Sequence, residues 1–223
     1  MSTVLILGAS RGIGLEFARQ YSNAGARVIA TARDEPGLAR LKAMGAMAIS
    51  LDVADPAGIS GLAAQLDGET IDVALYVAGV FPTAGATTPP AQQEFDRTMH
   101  TNVLGAMQAI AQIAPLVESS RTGRFIFITS GMAQIGGVAS SYAWTYRVSK
   151  AALNMAVASA QHDYPKAIMV AMSPGWVKTD MGGAGATLTV EQSVSAMRKA
   201  IAALTAKHRG TFLDYDGSPI TSW

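Results

Sequence analysis

The chain contains no cysteine. This excludes a disulfide framework and any metal site built on thiolates, and it fits a cytoplasmic location. Histidine is scarce as well. His100, His162 and His208 lie far apart, with no spacing that gathers ligands, so no metal is expected. Charge is sparse and balanced, with 17 basic residues against 16 acidic ones. No basic stripe or acidic tail marks a nucleic-acid or membrane-surface partner. Long apolar runs are missing too. The first, Val4 to Leu7, is too short for a signal peptide and has no basic leader, and nothing approaches a transmembrane length.

What is present is a large apolar fraction, 49% of 223 residues. That is enough to bury a full-sized core, and residues 1–223 read as one domain. Val4–Leu7 suits a strand buried on both faces. Gly8, Gly12 and Gly14 follow at once, and Leu15 to Tyr21 reads as a helix. Strand, glycine turn and helix together point to nucleotide binding. The turn brings main chain close to a pyrophosphate, and the helix start offers free N–H groups and a positive dipole end.

Further strands are expected at Arg27–Thr31, Ala46–Leu51, Asp72–Gly79, Gly123–Ser130, Ala167–Met172 and Gly210–Asp214. Helices are expected between them. They run over Glu35–Lys42, Pro56–Leu66 with Asp55 as cap, Ala91–Glu118 with a bend at Thr101-Asn102 and Gly105, Ala143–His162, and Thr189 to about Leu204. Ser173-Pro-Gly and Gly182-Gly-Ala-Gly read as a flexible connection, and the residues after Asp214 as a polar tail. This alternation makes an α/β fold, a single doubly wound parallel sheet of about seven strands with helices on both faces. Gly14, Arg33, Asp52, Gly79, Ser130 and Pro174 all fall at or just past strand ends, where such sheets place their site.

Asp34 stands about 20 residues past the glycines, the spacing of an acid that grips a ribose 2′-hydroxyl. Arg33 beside it favours a 2′-phosphate, and Arg11 in the glycine turn can reach the same phosphate. Two arginines against one carboxylate favour NADP, with NAD as the alternative; solvated surface charge is the plainer reading of both. Tyr146 and Lys150, four apart, share a helix face. An ammonium close to a phenol favours the phenolate and lowers its pKa, which brings it toward general acid–base work. A serine such as Ser130 can hydrogen-bond a carbonyl oxygen beside it.

These residues carry a resemblance. Gly8-Ala-Ser-Arg-Gly-Ile-Gly14, Asn102-Val-Leu-Gly105, Ser130, Tyr146-Arg-Val-Ser-Lys150 and Pro174-Gly-Trp-Val-Lys-Thr179 resemble the short-chain dehydrogenase/reductase family in order and spacing. The stretches Tyr146–Asn154 and Pro174–Gly183 resemble its C-factor and sniffer-type carbonyl reductase branch. The resemblance implies a catalytic set of Asn102, Ser130, Tyr146 and Lys150. Tyr146 would exchange the proton, Lys150 would tune it and hold the nicotinamide ribose, and Ser130 would orient the substrate oxygen. Asn102 would keep the bend and a relay water. The cofactor would lie against Gly8, Ser10, Arg11, Gly12, Ile13 and Gly14, then Arg33, Asp52 and Val53, then Ala78 and Gly79. Pro174, Gly175, Val177 and Thr179 would complete its contacts, with Tyr146 and Lys150. One departure is Val77, where the family usually has an asparagine.

The expected activity is reduction of small ketones or aldehydes with NADPH, reversible to alcohol oxidation. The alternative is a signalling or sensing protein that binds the cofactor without needing turnover. The short, glycine-rich segment after Thr179 implies an open substrate site. Phe81, Met132, Tyr142, Trp144, Trp176 and Met181 are candidates for its apolar wall, or for ordinary packing, and Lys178 and Gln134 for its polar groups. Self-association as a homodimer or homotetramer would use the long helix 91–118 and the alanine-rich helix 143–162.

Overall fold

A computed structural model describes residues Met1–Trp223. The strands are β1 (Thr3–Leu7), β2 (Arg27–Ala32), β3 (Met47–Ser50), β4 (Val73–Tyr76), β5 (Arg124–Ile128), β6 (Ile168–Met172) and β7 (Phe212–Leu213). They form one sheet in the order β3-β2-β1-β4-β5-β6-β7, and all neighbours are parallel. The helices are α1 (Gly12–Asn23), α2 (Glu35–Ala43), α3 (Pro56–Ser60), α4 (Leu62–Gln65), α5 (Gln92–Met99), α6 (Gly105–Glu118), α7 (Trp144–Ala160) and α8 (Val190–Ala203).

The period of two along β1 splits its side chains between two cores. Val4 and Ile6 pack with Phe17 of α1, Leu41 of α2 and Val194 of α8. Leu5 and Leu7 pack on the other face with Ile113 of α6 and Leu153 of α7. Burying each such side chain is worth roughly 1.5–3 kcal/mol, so the pattern Val-Leu-Ile-Leu commits β1 to the sheet centre. Val77 also packs against the first core, and its N–H donates to the Leu7 carbonyl at 2.9 Å. Main chain therefore ties β4 to β1 where the family asparagine is missing.

From β1 the chain builds β2 and β3 on one side, then returns to lay β4 on the other. The crevice this leaves lies beyond the carboxyl ends of β1 and β4. Gly8 sits in it with φ +91, and a Cβ there would stand 2.7 Å from the Ala78 nitrogen. Only glycine suits that conformation and that closeness.

The expected helix over 56–66 divides at Gly61 into α3 and α4. The Asp55 carboxylate caps the first part, accepting from the Ala57 N–H at 3.0 Å. The expected bend is a π-helical turn, His100–Leu104, between α5 and α6. The Tyr76 hydroxyl donates to the Thr101 carbonyl at 2.7 Å and holds that turn against β4. Thr189 caps α8 in a reciprocal capping box with Gln192.

Two expectations are corrected. The segment after β6 is not a loose connection: Val177 bridges Leu188, and the Trp176 indole donates to the Gly182 carbonyl at 2.9 Å. The tail is not merely polar. It folds back as Leu213 bridges Pro219, and Trp223 packs its ring 6.1 Å from Phe212. Hydrogen bonds and a few apolar contacts outweigh the polar composition of both segments.

A Cβ on Gly105 would meet the Val53 carbonyl oxygen at 2.3 Å and the Tyr76 hydroxyl at 2.6 Å. In an ordinary helix Gly→Ala gains about 1 kcal/mol. Here Gly105→Ala is expected to lower stability by about 1–3 kcal/mol through overpacking. Urea unfolding checks it, as a reduced midpoint at unchanged slope; a raised midpoint would refute the constraint.

Candidate active site

A groove of about 450 Å³ runs along the carboxyl edge of the sheet. Of the expected cofactor contacts, all line it except Gly175 and Val177, which line the adjoining cavity. The glycine turn is anchored from β2, because Gly8 N–H donates to the Thr31 hydroxyl at 3.0 Å and Ala9 N–H to the Thr31 carbonyl at 2.7 Å. Thr31 is fully buried and was not singled out in the sequence, where it reads only as a strand residue. The Arg40 guanidinium reaches back to the Ser10 carbonyl at 2.8 Å, a second support that helix periodicity did not reveal.

The second cavity, of about 680 Å³, opens beside the groove. Phe81, Met132, Tyr142, Trp176 and Met181 line it as expected, together with Ser130 and Gln134. Trp144 does not, and Lys178 belongs to the groove. Trp176 keeps 56% and Tyr142 52% of their surface exposed, so the mouth is open. Ile220 from the folded-back tail adds a wall the sequence did not announce.

Tyr146 lines both spaces. Its ring and that of Phe81 meet edge-to-face at a centroid distance of 4.6 Å. α7 begins from Ala143, whose φ of 56 lies in the left-handed region that alanine rarely occupies. Its N–H donates to the Thr83 carbonyl at 3.2 Å, which helps hold this strained start. Lys150 is buried, with Nζ donating to the Ile128 carbonyl at 2.8 Å and standing 5.7 Å from the Tyr146 ring centre.

Asn102 is fully buried in the π-helical turn. Its Oδ1 accepts from Val80 N–H at 2.9 Å; its Nδ2 donates to the Val80 carbonyl at 3.0 Å and to the Ser149 hydroxyl at 2.9 Å. Ser149 in turn donates to the Tyr146 carbonyl at 2.7 Å. Ser149 was overlooked as a site residue; its place three residues after Tyr146, on the same helix face, was the available signal.

A family model described as short chain dehydrogenase matches residues 2–187. The chain belongs to the short-chain dehydrogenase family. It is 36% identical to C-signal of Myxococcus xanthus over 152 residues, covering 67% of this chain and 92% of that protein. Its fold superposes on the carbonyl reductase Sniffer of D. melanogaster with a TM-score of 0.92 and 29% identity, covering both chains completely. A short-chain dehydrogenase/reductase from Burkholderia multivorans with bound NADP gives 0.89 and 31%, covering 100% of this chain and 99% of that one. These likenesses agree with the branch that the Tyr146 and Pro174 motifs resemble.

The charges at the groove are not arranged as the sequence implied. Arg11, at the groove, pairs with Asp180 at 2.8 Å. Asp34 caps α2, with Oδ1 accepting from Gly37 N–H at 2.6 Å, so its carboxylate is already engaged. Arg33 remains exposed at the groove, 3.6 Å from Asp52. Burial pushes the Tyr146 phenol up to about 12, with hydrogen bonding to Ser130 opposing it. Burial outweighs the expected lowering by Lys150, whose Nζ stands 5.7 Å from the ring centre and bonds to main chain. Burial also brings the Lys150 ammonium down to about 8.

That last shift sets a stability window. The unfolded chain holds the Lys150 proton more tightly than the folded one. The penalty is therefore full below about pH 8 and fades as pH rises toward the ordinary lysine value. Lys150→Met is expected to raise unfolding stability at pH 7 by up to about 3 kcal/mol. The gain should shrink at pH 10. Urea titrations at both pH values check it; a loss of stability at both would show that the bond to Ile128 outweighs the buried charge.

Proposed function

We propose that this chain reduces small carbonyl compounds with NADPH, with Tyr146 as the proton donor. The observation that carries the reading is that Tyr146 is the one ionisable residue lining both the groove and the cavity. A carbonyl in the cavity would thereby meet both a cofactor in the groove and a phenol. The likeness to the Sniffer carbonyl reductase supports the substrate class, and the Burkholderia structure with NADP supports the cofactor.

The groove fits a dinucleotide. Gly8 leaves main chain bare at the crevice, where a Cβ would collide with Ala78, and α1 opens from the glycine turn. Gly79 leaves space next to Asn102 and Lys150, and a Cβ there would touch their polar ends at 3.4 and 3.5 Å. A nicotinamide held in the groove would supply the hydride for the carbonyl carbon. Tyr146 gives its hydroxyl proton to the carbonyl oxygen, which leaves the alcohol. With its phenol raised to about 12, Tyr146 keeps that proton at neutral pH and is in the correct form for reduction. Ser130 holds the substrate oxygen, and the Lys150 charge offsets the phenolate that forms. Asn102 and Ser149 hold α7 in register with the loop after β4.

The phosphate preference rests on Arg33, whose ion pair with Asp52 is the longer at 3.6 Å, because Asp34 is engaged as a helix cap and Arg11 pairs with Asp180 at 2.8 Å. Exposed Met107 of α6 and Val148 and Met155 of α7 support pairing with a second copy of the chain. The likeness to C-signal favours a second reading, a cofactor-binding signal or sensor. Tyr146, buried beside Lys150 and shared by groove and cavity, favours the proton-transfer reading over binding alone.

Tyr146→Phe is expected to cut NADPH oxidation with ketones and aldehydes by at least about a hundredfold while NADPH binding persists. Absorbance at 340 nm across a carbonyl panel checks it, and unchanged rates would remove the assigned acid. Arg33→Ala is expected to weaken NADPH binding by about tenfold or more and NADH binding little. Fluorescence titration with both cofactors decides, since equal losses would leave no basis for the phosphate.

A further inference from the structure

The cavity beside Tyr146 has two charged residues in an otherwise neutral lining, Arg147 and Asp214. Arg147 follows Tyr146 on α7 and is half-buried. Its Nε donates to the Tyr142 carbonyl at 2.9 Å and its Nη1 to the Met132 carbonyl at 3.5 Å. Both partners are neutral, and no ion pair of the chain includes Arg147. A guanidinium carries five N–H donors. Nη2 and the second hydrogen of Nη1 have no protein acceptor, so one edge of the fork is free.

A half-buried cation with only neutral partners is poorly compensated. Its planar free edge suits a carboxylate, which accepts two parallel hydrogen bonds. Asp214 restricts where such a group can sit. Its carboxylate takes the Tyr215 N–H at 3.0 Å and faces no cation. It repels an anion from the β7 side and leaves it the side formed by α7 and segment 131–142.

We propose that the carbonyl substrate carries an anionic group of the carboxylate type, received by the free edge of Arg147. The inference rests on the carbonyl-reductase reading and deepens it by naming a substrate class. Arg147 also ties two loop segments together, and the test must separate the two roles.

The experiment compares a ketone bearing a carboxylate with its uncharged amide, assayed by NADPH oxidation with the wild-type protein, Arg147→Gln and Arg147→Lys. The wild type is expected to favour the acid by at least about tenfold in kcat/KM, chiefly through KM. Arg147→Gln should abolish that preference, and Arg147→Lys, which keeps the charge but loses the fork, should retain part of it. A wild type that treats both substrates alike overturns the proposal. So does an Arg147→Gln variant that lowers both equally, since that is the signature of loop tying. A wild type that reduces neither compound nor any other carbonyl overturns the carbonyl-reductase reading, and this inference with it. If Arg147→Gln does not fold, inhibition of the wild type by a non-reducible acid and its amide decides. Competition by the acid alone supports the proposal, and equal inhibition overturns it.

Discussion

The edge that carries the candidate site depends on the buried amide of Asn102. It binds Val80 main chain in both directions and the Ser149 hydroxyl, and Ser149 passes the connection to the Tyr146 carbonyl. Leaving one such buried group unpaired would cost about 1–3 kcal/mol. With every partner present, the network instead selects one arrangement of three separate elements. The loop after β4 borders the groove, the π-helical turn carries Asn102, and α7 carries Tyr146 and Lys150. The turn stays in place because Tyr76 bonds to Thr101 and because Gly105 lets α6 lie against Val53 and Tyr76.

The same edge is where the fold gives up stability. Lys150 is buried with one main-chain carbonyl as partner, and burial disfavours both its charge and the charge of a Tyr146 phenolate. Ala143 holds a left-handed conformation at the start of α7. Local strain and desolvated charge concentrate where the proposed chemistry is, and the apolar layers on both faces of the sheet sustain them.

Much of this was legible in the residues. The run Val4–Leu7 before three glycines announces a central strand, a tight turn and a helix, because each signal is local. Asp55 and Thr189 announce their caps for the same reason, and Gly105 beside Asn102 marked the bend. The departures have a common cause. Arg33, Asp34 and Arg11 look like a cluster in sequence, yet Asp34 bonds within its own helix and Arg11 finds Asp180, far along the chain. The residues after Asp214 look like a solvated tail because they are polar. Their strand-like return onto Phe212 and the placing of Ile220 in the cavity depend on partners that composition does not identify.

The sequence by itself determined the parallel α/β sheet and the set of residues gathered on one edge. These follow from periodicity, glycine geometry and strand-end position, which act over a few residues. Only the tertiary structure decided how the charges behave. Helix spacing puts Tyr146 and Lys150 on one face, but the ammonium bonds to Ile128 and burial raises the phenol rather than lowering it. Desolvation depends on everything packed around a group, so it exists only once the chain has closed on itself.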